Sequence, residues 1–403
     1  MTIGYNLSEF NGKSVKDFDP KEGILSPEKF CYRIRVSYDD AEDGVTVGDL
    51  FKAFAKDPKA KEVSEFIIGV WSFECDGPGS LPQVIIDNAP SLPKVEAFMF
   101  GDITYEESEI SWIQNVDQSA MMSAFPLLKE FRVRGGNGLS FSSLKHPTLE
   151  KLIVETGGLS KSTFTEIING DLPELNFLEI WLGTEDYGGT VNVHAIRPLL
   201  SGLKFPKLSH LGLRNSDISD DIALALSTGQ NVTGDINVEG KTIVLTGTLA
   251  NMKRSDAKKK LQEMGAKVGS GVSKNTDYLI AGEKAGSKME KAKSLGVPIL
   301  TESDMMELFN EKAEKPMSDS KGNILDRLQT LDLSMGTLGD KGALSFLANP
   351  KILNLRSLNL SHHYMSDAVM AKLAKLDLAI DLSDQEEPDA YDDEEYRYVS
   401  VGE

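Results

Sequence analysis

Seven times in this chain a leucine-like residue recurs in the pattern i, i+3, i+5, and such recurrence leaves few folds open. The units read Val95/Phe98/Phe100, Leu128/Phe131/Val133, Leu149/Leu152/Val154, Leu175/Leu178/Ile180 and Leu208/Leu211/Leu213, then Leu328/Leu331/Leu333 and Leu355/Leu358/Leu360. Four add an apolar residue at i+10, namely Leu159, Ile218, Leu338 and Met365. Most carry a proline two residues ahead, as at Pro93, Pro126, Pro147, Pro173 and Pro206. One short unit of this kind cannot bury its own apolar face, whereas stacked neighbours bury it together.

Side chains alternate faces along a strand, so residues i+3 and i+5 point inward from one short strand. The i+10 residue returns to the same core after a turn. Residues 162–169, 219–227, 340–347 and 366–375 have polar starts and apolar faces, which predicts helices between the strands. This spacing resembles the leucine-rich repeat, and it implies an α/β solenoid of horseshoe form.

The units follow one another at 33, 21, 26 and 33 residues, then at 120, then at 27. Removing one ordinary repeat from the jump of 120 leaves roughly 90 residues, the size of a small domain. Aligning Ile222-Ala-Leu-Ala-Leu with Ala343-Leu-Ser-Phe-Leu puts the point of insertion near Ser227 and the return near Met317. An exposed loop between repeats tolerates such an insertion. The expected organisation is an N-terminal cap over 1–90, repeats over 91–227, an insert over 228–317, further repeats over 318–384 and an acidic tail over 385–403. In the cap, 30–37 and 65–73 read as strands around a helix at 47–54. The tail is acidic without the central glycine of a calcium loop, so it reads as a solvated segment.

Within the insert, Gly240-Lys-Thr-Ile-Val-Leu-Thr-Gly-Thr-Leu249 reads as a strand. A helix over 255–264 follows, with Ala257, Leu261 and Met264 on one face and Gly265 as its stop. Then come strands at 266–268 and 277–280, a helix near 287–294 and a strand at 297–300. Thr301-Glu-Ser-Asp304 has the pattern of a capping box. Strands alternating with helices imply a small parallel sheet covered on its faces.

The motifs Val244-Leu-Thr-Gly-Thr-Leu249, Arg254 with Ala257, Met264-Gly-Ala-Lys-Val268 and Val272-Ser-Lys-Asn-Thr-Asp-Tyr-Leu279 resemble those of BRCT domains. Ala281-Gly-Glu, Gly286-Ser-Lys288 and Lys291-Ala with Leu295-Gly-Val-Pro-Ile299 complete the likeness, which covers about a fifth of the chain, residues 237–309. This segment closely resembles the BRCT domains of bacterial NAD-dependent DNA ligases and of the large subunit of replication factor C. The tryptophan common in the last helix of many BRCT domains is absent here. The resemblance implies binding of a phosphate, on a 5′-phosphorylated DNA end or a phosphopeptide, by Thr246, the backbone N–H of Gly247, Arg254 and Lys288. General chemistry agrees: glycine lets an oxygen approach the backbone, a helix start favours an anion, and arginine adds a charge-assisted contact. Each residue also has an ordinary explanation, as a turn hydroxyl, a conformational need or a solvated charge.

Charge supports the first reading. The chain carries −19, yet 237–315 holds 14 basic and 11 acidic residues, leaving about −22 elsewhere. Lys253, Arg254, Lys258, Lys259 and Lys260 form a dense basic run, although a helix bearing so many lysines can also be a plain solvated face. The acidic remainder should repel long duplex DNA, which favours an end or a phosphopeptide over lengthwise binding.

Several chemistries lack support. The Lys-x-Asp-Gly nucleophile motif that a ligase resemblance would call for does not occur. Gly282-Glu-Lys-Ala-Gly-Ser-Lys288 is one spacer short of a P-loop, and Gly135-Gly-Asn-Gly138 reads as a turn. Adjacent side chains such as His362 and His363 diverge, and Cys31 and Cys75 read as buried reduced thiols, so no metal and no cofactor are expected. No Ser/His/Asp or Cys/His spacing stands out, so the chain is expected not to be an enzyme. The first residues lack the basic and apolar regions of a secretory signal, and no apolar run nears the ~20 residues of a membrane span. The expected home is the cytoplasm. Nothing marks an oligomeric state.

Positions i+4 and i+6 of the repeat strands should face outward on the concave side. They hold Arg132, Arg134, Ile153, Glu155, Glu179, Trp181, Arg214, Asp332 and Ser334. Arginine and tryptophan are common hot-spot types, so Arg132, Arg134, Trp181 and Arg214 read as a surface for a protein partner. Ile153 and Trp181 are equally open to packing under neighbouring loops. The repeats, with the acidic ending, also resemble a group of bacterial leucine-rich-repeat proteins, which implies no activity. The expected function is an adaptor, with a phosphate-independent interaction scaffold as the alternative.

Overall fold

A computed structural model describes residues 3–74, 76–228, 238, 240–249, 252–282, 286–295, 297, 299–302, 305, 309, 323–391 and 394–402. The chain divides into two compact units, one of Met1–Gly229 with Gly322–Glu403, the other Gln230–Lys321.

In the larger unit the strands are β1 (Glu9–Phe10), β2 (Lys13–Asp17), β3 (Phe30–Ile34), β4 (Glu65–Gly69), β5 (Ala97–Asp102), β6 (Glu130–Arg134), β7 (Lys151–Glu155), β8 (Phe177–Gly183) and β9 (His210–Ser216). The smaller unit holds β10 (Thr242–Thr246), β11 (Lys267–Gly269), β12 (Tyr278–Ala281) and β13 (Ile299–Thr301). The larger unit then resumes with β14 (Thr330–Asp332), β15 (Ser357–Asn359), β16 (Ala379–Asp381), β17 (Asp389–Tyr391) and β18 (Glu394–Tyr396).

Twelve strands form one sheet in the order β1 to β9, then β14, β15 and β16. Every pair after β1–β2 is parallel. The register follows the repeat: Phe98, Phe131, Leu152, Leu178, Leu211, Leu331 and Leu358 lie side by side. All seven are buried, as are the residues two further on. Stacking one inward residue on the next makes a continuous row, and each buried Leu or Phe contributes about 1.5–3 kcal/mol. Phe66 and Phe98 stack with ring centroids 5.0 Å apart, and Phe98 meets Phe131 at 4.7 Å.

The ladder extends beyond the seven units read from the sequence. Tyr32 pairs with Phe66 and Phe66 with Phe98 at one end, and Leu358 pairs with Ile380 at the other. Residues 1–90, read as a cap at the open edge of the first repeat, add strands β1 to β4 to the same sheet, with a helix at Val47–Lys56 between β3 and β4. Val63/Phe66/Ile68 satisfies the spacing, and all three are buried.

The jump of 120 residues leaves no gap in the sheet, because Leu211 of β9 pairs directly with Leu331 of β14. Helix Ser219–Thr228 ends at this point, and its last carbonyls need partners. Residues from beyond the jump supply them: Asn323 and Asn349 donate to the Leu226 carbonyl at 3.2 and 3.3 Å.

The smaller unit is a four-stranded parallel sheet in the order β11-β10-β12-β13. Helix Arg254–Glu263 packs Ala257 and Leu261 against Ile243, Leu245 and Ile280. Ala292, from helix Ser287–Ser294, packs with Val244 and Leu279 on the opposite face. Alternation along β10 and β12 thus divides two apolar layers between two helices. The capping-box pattern at 301–304 falls largely outside the described residues.

Candidate functional site

The carboxyl ends of the parallel strands in the smaller unit lie along one edge, and the sequence-read phosphate residues gather there. Thr246 closes β10 opposite Ala281 of β12, and its carbonyl accepts the Gly282 N–H at 3.0 Å. Gly247 follows with φ +74°, a left-handed conformation that a side chain would oppose. Arg254 opens helix Arg254–Glu263, and its guanidinium donates to the Leu245 carbonyl, one residue before Thr246. Lys288 is the second residue of helix Ser287–Ser294, and its Nζ donates to the Ser270 carbonyl at 2.7 Å. Ser270 directly follows β11, the strand beside β10.

The helices bearing the two cations cover opposite faces of the sheet. Alternation puts Thr246 on the face of Val244, under the Lys288 helix, while Arg254 approaches from the face of Leu245. At the opposite end of β10, Lys241 pairs with Asp277 at 2.9 Å, and Asp277 also accepts the Thr242 N–H at 2.8 Å. That backbone bond, with Lys241 second, holds the Asp277 carboxyl below the usual carboxylate range and ties β10 to the start of β12.

On the face of the large sheet, Ile153 and Trp181 take the packed alternative that the sequence left open, and Arg134, read as part of a partner surface, is buried with them. Arg134 is 2% exposed and Trp181 7%, and Ile153 and Glu155 are buried as well. Trp181 lies against Ile110 and Val401, with Ile3 and Met335 beside them. The C-terminal segment makes this cover. Val401 N–H donates to Asn215 Oδ1 at 2.9 Å, Asn215 Nδ2 donates to the Val401 carbonyl at 2.5 Å, and Ser111 Oγ donates to the Gly402 carbonyl at 2.6 Å. In the acidic stretch ahead of it, β17 pairs antiparallel with β18, and Asp389, Ala390, Glu395 and Tyr396 are exposed. Residues 385–403 are thus not simply a solvated tail; their end docks on the sheet face. These contacts span 186 and 291 residues of sequence, which local patterning does not reveal.

Within the same sheet, Arg134 Nε meets Glu155 at 2.8 Å and its Nη1 lies 3.5 Å from Asp102. Arg132 pairs with the same Glu155, and Arg214 pairs with Glu179 at 2.8 Å and lies over the Trp181 ring. Burial pushes the Glu155 carboxyl up, but Arg132 and Arg134 outweigh it and hold the group below its ordinary range. Of the four residues read as a partner surface, only Arg132 and Arg214 retain appreciable exposure, with side chains 22% and 23% accessible.

Other sequence candidates occupy ordinary structural positions. His362 Nδ1 lies 3.3 Å from the Gly336 carbonyl and His363 Nε2 3.2 Å from that of Leu382, so the two rings point to different partners. Burial pushes the Cys31 thiol up; Cys75 falls outside the described residues. Gly135 and Gly138 have φ of +102° and +69°, in the turn after β6. Among the described residues, no group of three or more His, Cys, Asp or Glu could hold a metal ion, and no helix is long and apolar enough to cross a membrane.

Comparison with known proteins gives the smaller unit a family. Residues 237–309 match the BRCA1 C Terminus (BRCT) domain, so a BRCT domain is present in the chain. The chain is 56% identical over 84 residues to a DNA ligase of Parasynechococcus marenigrum, 58% over 72 residues to one of a Synechococcus species, and 55% over 75 residues to one of Shewanella frigidimarina. These matches cover 18–20% of this chain and 11–12% of each ligase, so the chain spans only about a ninth of those enzymes. Over most of its length it is similar to a protein of Bacteroides fragilis known from a crystal structure. That likeness has a TM-score of 0.63 and 26% identity, and covers 93% of this chain and 78% of the other.

Proposed function

We propose that the chain is a non-catalytic adaptor: a leucine-rich-repeat solenoid that engages a protein partner and carries an inserted BRCT domain that reads a phosphate. The phosphate is that of a 5′-phosphorylated DNA end, bound at Thr246, the Gly247 backbone, Arg254 and Lys288. The observation that carries this reading is the meeting of those residues at one edge of the small sheet, with cations brought by helices on its two faces. Both cations rest on backbone carbonyls, and a phosphate oxygen is a stronger acceptor for either. The basic surplus of 237–315 within a chain of net −19 supports an anionic ligand for this unit. The same edge suits a phosphopeptide, which is the second reading. A scaffold without phosphate recognition is the rival.

Fluorescence anisotropy of the full chain with one short duplex, bearing or lacking a 5′-phosphate, tests the proposal. Losing a hydrogen bond to a charged group costs about 1.5–3 kcal/mol, so Lys288→Ala and Thr246→Ala should each weaken phosphate-dependent binding about 10- to 100-fold. Equal affinity for the two duplexes would refute the DNA-end reading. A phosphoserine peptide competing at the same residues would then select the second.

A further inference from the structure

The segment after β5 that holds Ser111 and Trp112, together with the stretches that follow β6, β7 and β8, lines a half-open cavity of about 620 Å³, lying wholly within the larger unit and unused by the function proposed above. Small-molecule sites span about 300–1,000 Å³, so its size suits a compact organic ligand. Its wall includes Trp112, which is 58% exposed although tryptophan is costly to leave in water. The indole N–H donates to the Glu109 carboxylate at 2.9 Å, which fixes the ring and leaves its plane for another group.

Asn137, Ser162, Glu166 and Asp186 line the same cavity. Glu166 Oε2 accepts the Phe141 N–H at 2.7 Å, so this carboxylate is oriented with a second oxygen still available. Asn137 and Asp186 are exposed. The lining thus offers two carboxylates, a carboxamide and several hydroxyls, with no lysine or arginine among the described residues that line it.

That composition narrows the ligand. Two carboxylates without a cation repel an anion, which excludes phosphorylated compounds. A quaternary ammonium is best held by several ring faces. Here the second aromatic, Tyr187, packs so closely on Gly402 that a Cβ there would stand 2.6 Å from its ring. One aromatic plane sharing a cavity with carboxylate and amide groups suits a sugar instead. A pyranose presents an apolar C–H face to the indole and hydroxyls that donate to carboxylates and accept from amides.

We propose that this cavity binds a neutral saccharide, stacked on Trp112 and held by Asn137, Glu166 and Asp186. Saturation-transfer NMR on the full chain reads it from the sugar's own protons, with N-acetylglucosamine, glucose, galactose and mannose as probes and tetramethylammonium as the competing class. Saturable transfer to at least one sugar is expected. It should vanish in Trp112→Ala, survive in part in Trp112→Phe and weaken at least about tenfold in Asp186→Ala, one lost charged hydrogen bond. Both side chains are exposed, so unchanged melting temperatures will separate lost binding from lost fold. Transfer that persists in Trp112→Ala, transfer to tetramethylammonium but to no sugar, or no saturable transfer to any of the four sugars would each overturn the proposal.

Discussion

Glu155→Gln asks whether the buried ions under the sheet face hold the larger unit together. The Glu155 side chain is almost wholly inaccessible and serves both Arg132 and Arg134. Glutamine keeps the volume and an acceptor oxygen but removes the charge facing two guanidinium groups. Breaking a buried pair from one side costs about 3–5 kcal/mol, because the partner charge stays buried. Asp102 remains 3.5 Å from Arg134, and Arg132 retains some solvent, so the lower end, about 3 kcal/mol, is expected. With a urea slope of roughly 3 kcal/mol/M the unfolding midpoint should fall by about 1 M. Trp181 lies on the neighbouring strand, next to Arg214 and Val401, and its emission reports the transition. A shift below about 0.3 M would refute the argument. The pH dependence adds a sign. A carboxyl held low in the folded state stabilises fully above its unfolded pKa and loses that stabilisation as pH falls through its folded value. The gap between wild type and variant should therefore close on acidification; a gap that widened would contradict the lowered Glu155.

Ending the chain after Tyr396 removes Val401 from Trp181, so the emission maximum should move to the red; an unchanged spectrum would argue against the docked segment. Gly157→Ala attacks the same contact, since a Cβ there would stand 2.3 Å from Ser111 Oγ and 2.7 Å from the Gly402 carbonyl. It should mimic the truncation and raise the rate of carboxypeptidase release of the last residues. Gly247→Ala places a side chain at φ +74° and should cost the BRCT unit about 1 kcal/mol, read as a lower midpoint in hydrogen exchange against urea. Equal stability there would mean that the turn relaxes without penalty.

The parts of the molecule legible in the sequence are those built by local periodicity. Phe98, Leu152 and Leu331 are visible because stacking demands one apolar residue at one place in every unit, and the register repeats that demand. Tyr32 and Ile380 belong to the same ladder but escape notice, because Lys29 and Asp377 stand where the pattern wants an apolar residue. A strand at the end of a stack has fewer neighbours to satisfy, so its pattern is looser. Thr246, Arg254 and Lys288 could be named together only through the resemblance to BRCT domains, since each alone has an ordinary reading as a turn hydroxyl or a solvated charge. What buries the sheet face could not be named. Packing of Trp181 under loops is one of two readings of the sequence, but its cover is Ile110 and Val401, from a distant loop and the far C-terminal segment, and no periodicity links those positions to the strand they cover. Arg134 is buried through Asp102, Glu155 and the Ile103 carbonyl, partners that an outward-facing position does not announce.

The way the insert joins the sheet bears on how the two proposed recognition roles can coexist. Leu211 and Leu331 are neighbours as if the 120 residues between them were a short turn, and Asn323 caps the helix on the near side of the jump. The closure entropy of a loop grows only with the logarithm of its length, about 0.6 kcal/mol per doubling. A folded BRCT unit can therefore stand in that connection at small cost to the ladder, provided its own sheet carries its own core. It does so, through Leu245, Leu261 and Ile280 on one face and Val244, Leu279 and Ala292 on the other. Each unit then keeps its stability when the other is perturbed. Substitutions at Thr246 or Lys288 should leave the urea midpoint reported by Trp181 in place, and Glu155→Gln should leave phosphate-dependent binding intact. A loss of that binding in Glu155→Gln under conditions where the variant remains folded would show that the units are coupled, and the adaptor reading would then need a communicating contact rather than two independent sites.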